Sequence, residues 1–364
     1  MTVPIPPTKM LITITKTGGK QLNAVKAADG CPLISANTIA RRVHKGEEGP
    51  DPSPERLRRY GMTRPYRRFK NFKLDAPGLL APGFKWALDS AGFVAMTTYG
   101  DYDWSVEEYV RLAAAYAPNL LWWAQMDACC EPEVAGDPRT VRLRQCYTLD
   151  LLARCEREAR DLGIPGPMPV LQGWTVADYV WHAKSLGNCR GYTMVGVGSM
   201  CRRDTEGPEG LLAVVEALDR VLDEHVRLHL FGVKSTALES LAAHPRVASV
   251  DSNAWDLAAR NKAHYRDKCK ATTDYKCQYM HEWYGRQVAR IAEAQMWAQV
   301  LELYPSGNHE LPDDWANEIT DLVADGELEY QAAGYHMAYE AYARSNPEGR
   351  NYEMEALDDI GVDS

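Results

Sequence analysis

The chain has 364 residues, 45% of them hydrophobic, enough for one large α/β core or two ordinary domains. Its formal net charge of −9 excludes a wholesale binder of polyanions and leaves room for a local basic patch. No stretch reaches the roughly 18 apolar residues needed to cross a bilayer, and the opening MTVPIPPTKM has neither a basic n-region nor an apolar h-region, so a cytoplasmic protein with no membrane partner is expected.

Residues 1–82 read as an irregular segment with one strand candidate, LITIT (Leu11 to Thr15). It contains RLRRYGMTRPYRRFKNFK (Arg56 to Lys73), with eight basic residues, no acidic one, and Tyr60, Tyr66, Phe69 and Phe72 interleaved. Basic groups that track phosphates between aromatics that stack on bases make a nucleic-acid surface, with Arg58, Arg59, Arg67 and Arg68 as its contacts. A solvated basic loop on an acidic exterior is the alternative.

From about Gly83 the texture changes to apolar runs alternating with helical patterns. FKWALD ends at Asp89 and precedes SVEEYVRLAAAYA, a helix with a Ser N-cap and an acidic first turn. NLLWWAQMD ends at Asp127 and precedes a long amphipathic helix closed by Gly163. MPVLQG ends at Gln172, YTMVGVGS at Gly196 and Gly198, RLHLFGVK near Gly232, and VASVD at Asp251, each followed by a helical stretch. Runs this apolar, alternating with helices at least six times, predict a parallel sheet covered by helices. Residues 83–290 suit a closed (β/α)8 TIM-type barrel better than an open doubly wound sheet, though pattern alone does not close a barrel. Residues 291–364 read as extra C-terminal helices ending in an acidic tail.

Parallel strands end on one face, so Asp89, Asp127, Gln172, Gly196, Gly198 and Asp251 would converge there. Any single Asp at a strand end is as readily an N-cap or a turn residue. As a set, the Asp127 oxygens, the Gln172 amide and the N–H groups beside the two glycines suit a base edge that offers N–H donors next to a carbonyl, as guanine does. Asp89 and Asp251 would remain as a carboxylate pair for work at a sugar carbon.

Six segments then carry a family likeness. LDSAGF (Leu88 to Phe93) resembles the TDSGG-type motif of the tRNA-guanine transglycosylase superfamily, QMDACCEP its FDECTP-type motif, and VLQGWT its LVQGG-type strand end. MVGVGS is similar to its glycine-rich base-binding turn, LHLFGVK to the segment after it, and VDSNAWDLAARN to its nucleophile segment with an Arg a few residues on, here Arg260. GVGSMCRRD, LHLFGVKS and SVDSNAWDLAAR resemble the branch that inserts 7-deazaguanine bases into DNA, found in phages and bacterial modification islands. That resemblance implies a TIM-type barrel with a zinc-binding insertion and DNA and a preQ0-like 7-deazaguanine as partners. It also implies Asp251 as nucleophile, Asp89 as general acid/base, and Asp127, Gln172 and Gly196 reading the base. A tRNA-modifying version and a catalytically silent nucleic-acid-binding homologue are the alternatives; the presence of both Asp89 and Asp251 speaks against the silent one. A homodimer is left open.

His264, Cys269, Cys277 and His281 are spaced H-x4-C-x7-C-x3-H, two thiolates and two imidazoles of the kind a structural zinc takes. The relatives' site is a tighter Cys cluster with a distant His, from which this spacing departs. The nine cysteines otherwise read as reduced thiols, including the adjacent Cys129 and Cys130. Arg202 and Arg203, after the glycine turn, are placed to hold phosphate. His182 and His229 read as core or rim histidines, and of Trp122 and Trp123 one should face the helices and the other the sheet's inner side.

Overall fold

The structure, a computed structural model, describes residues 8–15, 19–43, 69–201 and 203–303. They divide between two compact units. One comprises Lys9–Lys234 and Arg246–Asn253; the other takes Thr8, Ser235–Pro245 and the described residues from Ala254 onward.

The first unit is built on an eight-stranded parallel sheet. Its strands are β1 (Lys9–Ile14), β2 (Cys31–Ser35), β5 (Trp86–Asp89), β6 (Leu120–Trp123), β7 (Val170–Leu171), β8 (Met194–Val197), β9 (Arg227–Leu230) and β10 (Val247–Ser252), in the order β6-β5-β2-β1-β10-β9-β8-β7. A short antiparallel pair, β3 (Ala40–Arg42) and β4 (Phe69–Phe72), stands apart from it. The two edge strands of the large sheet are tied as well. Ala124, just past β6, bridges in parallel to Met168, just before β7; Gln125 N donates to Met168 O (3.0 Å) and Met168 N to Trp123 O (2.8 Å).

Period-two alternation sorts the strand residues. Met10, Ile12 and Ile14 of β1, Ile34 of β2 and Leu88 of β5 are buried on the outer side. Inward, Leu11, Leu33 and Ala87 form an apolar floor with Trp122 and Phe231 against it. Trp122 thus faces inward while Trp123 donates from its indole N–H to Pro165 O and packs on Tyr109. The intervening helices are α1 (Gly19–Ala27), α2 (Val106–Tyr116), α3 (Pro138–Asp161), α4 (Val176–Ser185) and α5 (Leu211–Asp219). Capping fixes where they begin. Ser105 and Glu108 close a reciprocal capping box on α2, Thr175 and Asp178 do the same on α4, and Asp137 accepts from Arg139 N and Thr140 N at the start of α3.

In the second unit α6 (Leu238–Ala242) and α7 (Ala254–Asn261) both pack on the long α8 (Thr273–Leu303). Lys276 Nζ on Asp256 (2.8 Å) and Gln295 donating to Thr8 Oγ1 (3.1 Å) fasten it. Residues beyond 303, which hold most of the expected C-terminal helices and the acidic tail, lie outside the described residues.

The structure differs from the expected boundary near Gly83. β1 and β2 belong to the large sheet, between β10 and β5, so that sheet begins at Lys9. Phe69 and Phe72, expected as open stacking aromatics, are buried against Trp104. No helix among the described residues is long and apolar enough to cross a membrane.

Candidate active site

The carboxyl ends of β5, β2, β1 and β10 hold two carboxylate–hydroxyl pairs side by side. Register sets Ser35, the last residue of β2, opposite Asp89, and Leu11 of β1, two residues before Thr13, opposite Asp251. Thr13 Oγ1 donates to Asp251 Oδ2 (2.5 Å) and Ser35 Oγ to Asp89 Oδ2 (2.6 Å). Asp251 is 4% exposed, and its Oδ1 also accepts from Gly232 N (2.9 Å). Gly232 reaches it at φ +69°, in the left-handed region that favours glycine. Asp89 Oδ2 accepts from Ala91 N (3.1 Å), whose own φ is +65°. Burial pushes the Asp89 carboxyl above the ordinary range, and the charge of Asp251 pushes it in the same direction, while the Ser35 hydroxyl works against them.

Next to this pair lies a second polar group, formed by Asp127, Gln172 and Ser199. Ser90 Oγ donates to Asp127 Oδ1 (2.6 Å), the Gln172 amide donates to Oδ2, and Asp127 N donates to Tyr102 Oη (3.0 Å). Gln172 Oε1 accepts from Ser199 Oγ (2.7 Å), which is also 3.0 Å from Glu131 Oε2. Burial raises Asp127 to about 7, opposed by the Ser90 hydroxyl and assisted by the charge of Asp89. His182 accepts from Gln172 N (2.9 Å), and burial lowers its pKa to about 4, so the imidazole braces this strand end in its neutral form. The glycine turn has no room for side chains. A Cβ on Gly198 would stand 2.2 Å from Gln172 Nε2, and one on Gly196 2.6 Å from the Phe231 ring. Hydroxyls, a carboxylate and an amide on one sheet edge make a donor–acceptor lining, beside two further carboxylates whose charges act on each other.

Comparison with known proteins decides the family. The family model described as DpdA, DeoxyPurine in DNA protein A, matches residues 51–322, most of the chain. The chain belongs to the DpdA family. That family is the DNA-guanine transglycosylase branch of the tRNA-guanine transglycosylase superfamily, an enzyme family of pentosyltransferases acting on DNA and a deazaguanine base. No curated protein matches the chain.

In this DpdA family member the sequence-predicted residues divide into groups. Asp89, Asp127, Gln172, Gly196, Gly198 and Asp251 all lie at the ends of strands of the one sheet, or just beyond them. Arg203, expected at a phosphate, is turned inward instead: it is 3% exposed, stacks on Trp174 at 4.2 Å, and donates to Glu209 O and Ser199 O, because these carbonyls and rings hold the glycine turn's exit. Arg260 pairs with Asp256 one turn earlier on α7 (3.0 Å). Arg58, Arg59, Arg67, Arg68 and Arg202 lie outside the described residues. All nine cysteines are described and none forms a disulfide; Cys129 and Cys130 are buried thiols held well above the ordinary range, chiefly by burial. His264 lies in the turn before Cys269, with Cys277 and His281 on α8, and among the described residues no three His, Cys, Asp or Glu side chains gather as a metal needs.

Several residues of the site escaped sequence reading. Thr13, Ser35, Ser90, Tyr102, Glu131 and Ser199 complete the hydrogen bonding of Asp251, Asp89, Asp127 and Gln172. Ser90 in LDSAGF, Glu131 in QMDACCEP and Ser199 in MVGVGS sat within the family-like motifs, but none of the three was assigned a role there.

Proposed function

We propose that the chain exchanges guanine in DNA for a preQ0-like 7-deazaguanine through a covalent deoxyribosyl ester of Asp251, on a sheet closed as a (β/α)8 barrel. The bridge from Ala124 to Met168, which ties the two edge strands, supports closure. The observation that carries the chemistry is that Asp251 and Asp89 stand at the carboxyl ends of strands of one sheet, each held by a hydroxyl from a neighbouring strand.

Asp251, held by Thr13 and Gly232, attacks C1′ of an extruded nucleotide. The C1′–N9 bond breaks, its electron pair goes to N9, and a proton carried by Asp89 transfers to the departing guanine. An incoming 7-deazaguanine then gives its N9 proton to Asp89, N9 attacks C1′, and the ester electron pair returns to Asp251. Two inversions retain configuration, and no net bond energy is required because one N-glycosidic bond replaces another. Asp127, Gln172 and the backbone at Gly196 and Gly198 read the base; the Asp127 oxygens accept from its N–H groups. Extruding the nucleotide costs a few kcal/mol.

Duplex DNA carrying labelled guanine tests this. Incubation with enzyme and preQ0 should release the label, and denaturing electrophoresis of the enzyme with DNA should show a covalent adduct. Asp251→Asn should abolish both. Full exchange by Asp251→Asn would remove the assignment.

A further inference from the structure

One titratable side chain beside Asp251 has no part in the exchange as written. His229 lies on β9, facing the sheet's inner side and wholly buried, with Trp122 (ring centroids 4.7 Å) and Phe231 (4.5 Å) against its ring. Its Nδ1 is 2.8 Å from Ser249 Oγ on β10. Its Nε2 has no hydrogen-bond partner among the described residues and lies 3.5 Å from Asp251 Oδ1. A buried ring nitrogen without a partner is costly where an apolar side chain would serve the packing equally well. Both neighbours of His229 on β9 are leucines.

We propose that His229 is a positioning residue for Asp251, closing its Nε2–H onto Oδ1 whenever that carboxylate carries its charge. The inference rests on the reading of Asp251 as nucleophile. With the Ser249 hydroxyl donating to Nδ1, the ring proton sits on Nε2 and faces the carboxylate. A gap of 3.5 Å in the free protein is of the kind that shortens when substrate arrives. Oδ1 then has two N–H donors, from Gly232 and His229, while Oδ2 keeps the Thr13 hydroxyl. These donors stabilise the free carboxylate more than its ester, in which the charge is gone. His229 therefore makes Asp251 a better leaving group in the second displacement and limits how much enzyme stays esterified.

The test compares the wild type with His229→Phe, which fills the space without a nitrogen, and His229→Gln, whose amide nitrogen reaches the Nε2 position. Each is mixed with guanine-containing duplex DNA and no incoming base, quenched in denaturant, and the esterified fraction measured. His229→Phe should shift the ester-to-free ratio upward by roughly tenfold, the worth of a hydrogen bond to a charged group, and His229→Gln should return it near the wild-type value. Equal ratios in all three, or a fall in His229→Phe that His229→Gln does not restore, would overturn the proposal. A merely structural defect would lower ester and exchange together. No ester in the wild type would sink the nucleophile reading instead, and 15N shifts of the wild-type ring decide His229 separately. Protonated Nε2 is expected, and an Nε2 without its proton refutes the donor role.

Discussion

Asp127 owes its pKa of about 7 first to burial and then to its acidic neighbour Asp89, against the pull of the Ser90 and Gln172 hydrogen bonds. If the base is read by the ionised form, that form is scarce below this value and complete above it. Binding of 7-deazaguanine measured by calorimetry should therefore strengthen as pH rises through about 7, and Asp127→Asn should remove that limb along with most of the affinity. Gly198→Ala brings a methyl group against the Gln172 amide. We expect a stability loss of about 1–3 kcal/mol from overpacking, read by denaturant unfolding, together with weakened base binding, because Gln172 moves to make room. Asp89, Asp127, Gln172 and Asp251 were legible because each terminates an apolar run. Thr13, Ser35 and Ser199 were not: a hydroxyl has no periodic signature, and Thr13 reaches Asp251 across 238 positions of chain. His229 was read as a bland core histidine for the same reason, its meaning arising only from the strand beside it.

Strand existence was legible almost throughout, whereas strand ends were not. NLLWWAQMD reads as one run to Asp127, yet β6 stops at Trp123. Gln125 explains the difference: its side chain accepts from Val170 N (3.0 Å) and donates to Thr148 O (2.7 Å), replacing ladder bonds with side-chain ones. LITIT was seen as an isolated strand because nothing nearby alternates with it; its partners are β10, from the far end of the catalytic region, and β2. The turn from His264 to α8 is where motif spacing and geometry part, since Cys277 and His281 share a helix while Cys269 sits in the loop before it. Zinc there requires that turn to close around the ion. Metal analysis of the purified chain should then find one zinc, lost on Cys269→Ser with Cys277→Ser; a zinc-free chain removes the site.

At the scale of the molecule, a protein of net charge −9 has to meet DNA through a restricted surface. Arg58, Arg59, Arg67 and Arg68 are the densest basic group in the sequence, and we expect their neutralisation to flatten the salt dependence of DNA binding by about one unit of slope per lost phosphate contact. An unchanged slope in filter binding at several salt concentrations would assign the contact elsewhere.

The order β5-β2-β1-β10 has a practical corollary for anyone who trims this chain. A fragment started at residue 51, where the family likeness begins, or at Gly83, would keep all six recognisable motifs while discarding the two strands that lie between its acids. The sheet would be left with a gap two strands wide, and Asp89 and Asp251 would each lose the hydroxyl that holds it. Homology alone would therefore mark as dispensable the segment on which the spacing of the two reacting groups depends.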